Sequence, residues 1–258
     1  MLVANNNDDN LLQDLIIYWT NRAKGYSQTN QDELATDKRK IWQKLILNHA
    51  PNKNKLRILD IGTGPGFLAI TLALAGHEVT AVDVTQAMID QAKDNASQYR
   101  VKVNFVLSDV HCLPFDDNHF DLIVLRNVTW NLSNPTVAYQ EWFRVLNSQG
   151  KLLNFDANWY LFLFNKDLHS QYMQDRENTA NCGIDDHYRQ TDTHEMERIA
   201  RLLPLSQKIR PEWDMNILQS IGYKNIHIHN DISKIVWDEI EQINYHSTPM
   251  FLIMAEKA

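Results

Sequence analysis

The stretch "ILDIGTGPG" at 58–66 runs an apolar segment into Gly62, Gly64 and Gly66, three of only 8 glycines in the chain. Glycine costs backbone entropy and packs nothing, so this crowding marks a place where something large lies against the main chain. A glycine turn between a strand and a helix presents backbone N–H groups to a ligand. The spacing is G-x-G-x-G, with Phe67 where a dinucleotide fingerprint would place its third glycine, and no Walker lysine follows. Further candidates for chemistry come later. Asp156 ends the apolar run "KLLNFDA" and serves either as a general base or as a helix cap or wall residue. His187 and His194 in "DDHYRQTDTHEME" are candidate bases, with plain surface histidines as the competing reading. Together with His169 and Cys182 they raise the question of a metal, but their spacing matches no ligand pattern, and none is expected.

These residues need a scaffold, and the apolar pattern supplies one. Residues 11–23 and 32–49 carry helical periodicity, and "APNKNK" at 50–55 breaks it. Strands at 56–61, 78–84, 101–109, 120–127 and 151–157 then alternate with helices. Near-continuous apolar strands alternating with helices predict a parallel sheet covered on both faces. From about 158 to 211 the alternation stops, which predicts a helical insertion after the fifth strand. It resumes with a helix at "MNILQSIGY", a strand at "KNIHIHND", a helix around "IVWDEIEQI" and a final strand at "PMFLIMAEK". The expected organisation is an N-terminal helical cap over 1–50, a cofactor-binding α/β core over 51–157, an insertion or lid over 158–211, and a completion of the sheet over 212–258.

In this order and spacing, residues 56–157 resemble the class I S-adenosylmethionine-dependent methyltransferases, in the flavour of the ubiquinone and menaquinone biosynthesis enzymes. D-x-G-x-G-x-G from Asp60 to Gly66 is similar to their first motif. The resemblance implies a Rossmann-like sheet of seven strands, mostly parallel with an antiparallel last strand, and S-adenosyl-L-methionine as cofactor. It implies that Asp83, in "VTAVDVT", binds both ribose hydroxyls and that Asp109, in "LSDVHCLPF", reads the adenine amine. A carboxylate is chemically suited to a vicinal diol because it accepts two hydrogen bonds. Asp60 would attract a sulfonium or ammonium group, or else orient the turn. Val84, Val110 and Arg126 complete the implied cofactor set, with Tyr26 or Arg22 from "YWTNRAKGYS" at the methionine end. Asn127 and Trp130 are expected to line the methyl region, Trp130 with a core role as its alternative. Trp159 and Tyr160 belong to an aromatic group that forms a substrate pocket or glues the insertion to the sheet.

The function implied is in-line methyl transfer to a small-molecule acceptor, with a cofactor-binding protein lacking turnover, or a nicotinamide oxidoreductase on a similar sheet, as alternatives. Composition narrows the partners. The net charge of −7 and the absence of a basic stripe argue against nucleic acid. Two cysteines, no charged n-region ahead of an apolar h-region and no apolar run near the ~20 residues of a membrane helix predict a cytoplasmic protein without membrane insertion.

Overall fold

The computed structural model describes residues 6–184 and 191–258. The chain opens with two helices, α1 (Asn6–Ala35) and α2 (Lys38–His49). Alternation then begins with β1 (Arg57–Ile61), α3 (Phe67–Leu74), β2 (Glu78–Asp83), α4 (Gln86–Gln98) and β3 (Asn104–Leu107). It continues with β4 (Phe120–Arg126), α5 (Pro135–Val145) and β5 (Leu146–Asp156). Two helices, α6 (Lys166–Cys182) and α7 (Thr193–Ala200), intervene before α8 (Glu212–Ile221) and β6 (Tyr223–His229). The short α9 (Ser233–Val236) and α10 (Glu239–Asn244) precede β7 (Phe251–Lys257).

The seven strands form one sheet in the order β3-β2-β1-β4-β5-β7-β6. Strands β1 to β5 run parallel, and β7 pairs antiparallel with both β5 and β6. This is the seven-stranded Rossmann-like arrangement expected from the sequence. Alternate residues feed two cores, one on each face. Ile58, Leu122 and Val124 pack with Trp42 and Phe67, while Leu59, Ile123 and Leu125 pack with Tyr139 and Trp142. A third apolar cluster joins α1 to α7 through Leu11, Leu15 and Tyr18 against Met196, Ile199 and Leu203. Strand order reverses between β1 and β4, the switch point where open α/β sheets place their ligands.

Four boundaries depart from the sequence reading. The N-terminal helix does not stop near Ala23; it runs through Gly25 to Ala35. Tertiary contacts hold this polar stretch helical. Ser27 is buried and accepts from Asn95 Nδ2 (3.1 Å), Gln31 donates to Asn95 Oδ1 (2.7 Å), and Asn95 also donates to the Pro65 carbonyl (2.9 Å). Strand β5 starts at Leu146, not 151, because Leu146 is buried opposite Phe120 and Asn147 donates to Asp121. Only 104–107 of the third predicted strand pairs with β2. The helix predicted around "IVWDEIEQI" splits at Trp237, where Asp238 and Glu241 form a reciprocal capping box that starts a new helix.

Candidate functional site

A cleft lies at the carboxyl ends of the strands, bounded by the turn after β1, the ends of β2 and β4, and α1. Gly62 and Gly64 both line it with positive φ, 59° and 52°. A Cβ on Gly62 would lie 2.6 and 2.9 Å from the Val128 methyls, and one on Gly64 would lie 3.4 Å from the Tyr26 ring. The bare backbone therefore makes room for protein neighbours at Gly62 as well as for a ligand. Gly66 does not line the cleft; it starts α3 and packs against Ala92.

Asp83 is 9 % exposed and turns both oxygens to the main chain: Gly64 N–H donates to Oδ2 and Thr85 N–H to Oδ1, each at 2.9 Å. A carboxylate oxygen has a second acceptor site, so each can still take a hydroxyl. Burial raises the Asp83 pKa, against these hydrogen bonds. Asp60 has a different task. It lies beneath the turn, 2 % exposed and outside the cleft lining, where its Oδ2 accepts from Thr63 Oγ1 (2.6 Å) and Ala69 N–H (3.0 Å). It braces the turn against the start of α3, and burial pushes its pKa up to about 7. Asp109 lines the cleft beside Val84 and Val110. Burial would raise its pKa, but His111 outweighs that by donating its backbone N–H (3.0 Å) and bringing Nδ1 within 2.6 Å, so Asp109 sits below the ordinary value.

Tyr26 and Arg22 reach the cleft from α1, as does Arg126 from the end of β4. The Arg126 guanidinium is bidentate with Glu33 (2.9 Å twice) and lies 4.3 Å from the Phe67 ring centre. This pair ties α1 to the end of β4. Asn127, Trp130, Trp159 and Tyr160, expected at the methyl region and in an aromatic pocket, all line the cleft. Trp130 and Tyr160 are in tilted ring contact at 5.0 Å, and Tyr18 on α1 lines the same cleft with its hydroxyl pKa pushed up to about 12 by burial.

Two of the expected bases are placed elsewhere. Asp156 is fully buried and does not line the cleft. Its carboxylate holds Arg210 Nη1 (2.8 Å), Trp130 N–H (3.0 Å) and Ala157 N–H (2.9 Å), so it is a brace with no acceptor within reach. His194 is exposed on α7 and outside the cleft lining, because the inward face of that short helix is taken by Met196, Ile199 and Ala200. His187 lies outside the described residues. Among the described residues no three His, Cys, Asp or Glu side chains converge as a metal site.

Several contributors escaped the sequence reading. Arg210 joins Asp156 to Asp214 in a buried cluster, donating to Asp214 from Nε and Nη2 at 2.8 Å each; it sits in a segment without a motif. Glu33 and His111 likewise carry no local signal. Tyr18 did carry one, since it lies four residues before Arg22 and eight before Tyr26, the two residues already expected from this stretch, on one face of a continuous helix.

Comparison with known proteins agrees with this geometry. Residues 59–154 match the family described as "Methyltransferase domain". The demethylmenaquinone methyltransferase of Renibacterium salmoninarum is 30% identical over 131 residues, 51% of this chain and 53% of that protein. A ubiquinone biosynthesis O-methyltransferase of Coxiella burnetii is 29% identical over 109 residues, 42% of this chain and 47% of that protein. The chain thus spans about half the length of the curated relatives it matches. Among solved structures, a Methanococcus maripaludis protein assigned to the S-adenosyl-L-methionine-dependent methyltransferases superposes with a TM-score of 0.60 at 22% identity, covering 93% of each chain. The [4+2]-cyclase SpnF superposes with a TM-score of 0.56 at 17% identity, covering 84% of this chain and 79% of that one. At these identities the structures share the fold. The fold is the one shared by class I S-adenosylmethionine-dependent methyltransferases, and the methyltransferase-domain match lies within its α/β core. The sequence is similar to quinone-biosynthesis methyltransferases over 109 to 131 residues. No helix among the described residues is long and apolar enough to cross a membrane.

Proposed function

We propose that this protein transfers a methyl group from S-adenosyl-L-methionine to a small organic acceptor. The observation that carries the reading is Asp83, whose two buried oxygens are aimed by the Gly64 and Thr85 amides toward a cleft at the sheet's switch point. The chain's own residues fit the cofactor. Asp83 has acceptor capacity for a ribose diol, Asp109 for an exocyclic amine, and Gly62 and Gly64 offer bare main chain. When bound, the cofactor supplies the electrophilic methyl group.

The protein then has to position a nucleophile and exclude water. Tyr18, Trp19, Trp130 and Trp159 line the cleft and provide an apolar enclosure for that purpose. The names of the relatives tie them to demethylmenaquinone and to ubiquinone biosynthesis, which supports a small organic acceptor here.

Calorimetric titration with S-adenosylhomocysteine tests the cofactor assignment. Asp83→Ala is expected to weaken binding at least tenfold, since the ribose hydroxyls lose their acceptor. Unchanged affinity would refute the role of Asp83, and NADH binding in its place would favour an oxidoreductase. Incubation of metabolite extracts with methyl-labelled cofactor then separates an enzyme from a binding-only protein, which would yield no labelled product.

A further inference from the structure

The turn after β3 holds a carboxylate in a single setting. Asp109 opens this turn, and its carbonyl accepts the Cys112 N–H (3.2 Å). Its Oδ1 accepts the His111 N–H (3.0 Å), the local bond that aspartate makes at the head of a turn. The His111 ring returns to the same oxygen, with Nδ1 at 2.6 Å. The tautomer is fixed from the other side. Asn134 N–H, at the start of α5, donates to His111 Nε2 (3.3 Å), so Nε2 is unprotonated and the proton sits on Nδ1. Both lone pairs of Oδ1 are thus occupied, and among the described residues no hydrogen bond reaches Oδ2. Both side chains line the cleft. The His111 side chain is 13 % exposed and that of Asp109 39 %, so the histidine is the anchored member and the carboxylate the accessible one.

We propose that His111 is a positioning residue for base selection: it immobilises the Asp109 carboxylate so that Oδ2 alone meets the nucleoside base. This rests on the proposed function, which puts an adenosyl cofactor in the cleft with its amine at Asp109. A carboxylate free to turn adapts to more than one donor pattern, because either oxygen, or both together, can accept. Held by His111, it offers one oxygen in one place. That arrangement suits a base with an exocyclic amine and penalises one that carries a carbonyl there and its proton on the neighbouring ring nitrogen. The carbonyl would face a carboxylate oxygen left without a donor, and a mismatch of that kind discriminates strongly. The sequence supplies the anchor two positions after the acid, but the tautomer depends on Asn134, 23 residues further along.

The test compares S-adenosylhomocysteine with S-inosylhomocysteine, which replaces the amine by a carbonyl and places a proton on N1. Calorimetric titration of the wild type is expected to show a preference for the adenine form of at least about tenfold. His111→Phe keeps a ring but removes the ring donor; the preference should fall at least about fivefold as the carboxylate gains freedom. His111→Asn, whose amide can donate where Nδ1 does, should restore it to within about threefold of wild type. His111→Ala serves if the Phe variant does not fold. A merely structural histidine would weaken both nucleosides equally and leave the ratio unchanged, which would overturn the proposal, as would failure of Asn to restore it. Asp109→Asn is titrated in parallel. A preference lost in Asp109→Asn but kept in His111→Phe and His111→Ala refutes the role of His111 alone. A wild type that binds neither nucleoside, or an Asp109→Asn variant that keeps the preference, refutes the cofactor reading and this inference with it.

Discussion

Replacing Asp156 by Asn separates two jobs that the end of β5 could hold. The carboxylate accepts three hydrogen bonds, from Arg210, Trp130 N–H and Ala157 N–H. Asn offers one oxygen and one NH₂, so at least one of these donors meets another donor. A stranded buried donor costs about 1–3 kcal/mol, and exchanging a charge-assisted bond to Arg210 for a neutral one adds about 1 kcal/mol. Arg210 keeps both bonds to Asp214, so the variant should fold. The expected loss is about 2–4 kcal/mol. A chain of 258 residues has an unfolding entropy of roughly 0.5 kcal/mol/K, so Tm should fall by about 4–8 °C in a calorimetric scan. A general base would behave in the opposite way, with Tm unchanged and only kcat reduced. A melting point within about 1 °C of wild type would refute the brace. A double-mutant cycle with Arg210→Gln should show coupling of about 1 kcal/mol or more.

Other expectations follow from the cleft and its cap. Asp60, with its pKa raised to about 7 by burial, favours the fold when neutral. Its contribution is fully present below pH ~4 and lost as pH rises to about 7. Asp60→Asn, which keeps an oxygen for Thr63 and Ala69, should therefore flatten the stability profile across that window by roughly 4 kcal/mol. Parallel profiles for the two proteins would contradict this. Glu33→Gln removes one charge of the pair that ties α1 to β4. It should cost about 1.5–3 kcal/mol and speed amide exchange along α1; unaltered exchange there would show that the pair does not hold the cap.

Much of this protein was legible in one dimension. Alternating apolar strands and helices specify a parallel sheet because both of its faces must be buried, and local hydrophobic spacing records that demand. The glycine turn and the acids at the ends of β2 and after β3 were equally visible, since a positive φ and a strand-end carboxylate leave their mark in residue type. What remained hidden depended on partners far apart in the chain. Apolar periodicity fades after Ala23, yet α1 continues because Asn95, 68 residues from Ser27, hydrogen-bonds its polar face. Asp156, at the right edge of the sheet, reads as a base or as a cap or wall residue until Arg210, 54 residues on, closes over it. Asp60 reads either as an attractor for a cation or as an orienter of the turn, and the fold selects the second through Thr63 and Ala69. A carboxylate has the same chemistry in each setting, and only the packed structure decides whether water, a ligand or another side chain satisfies it.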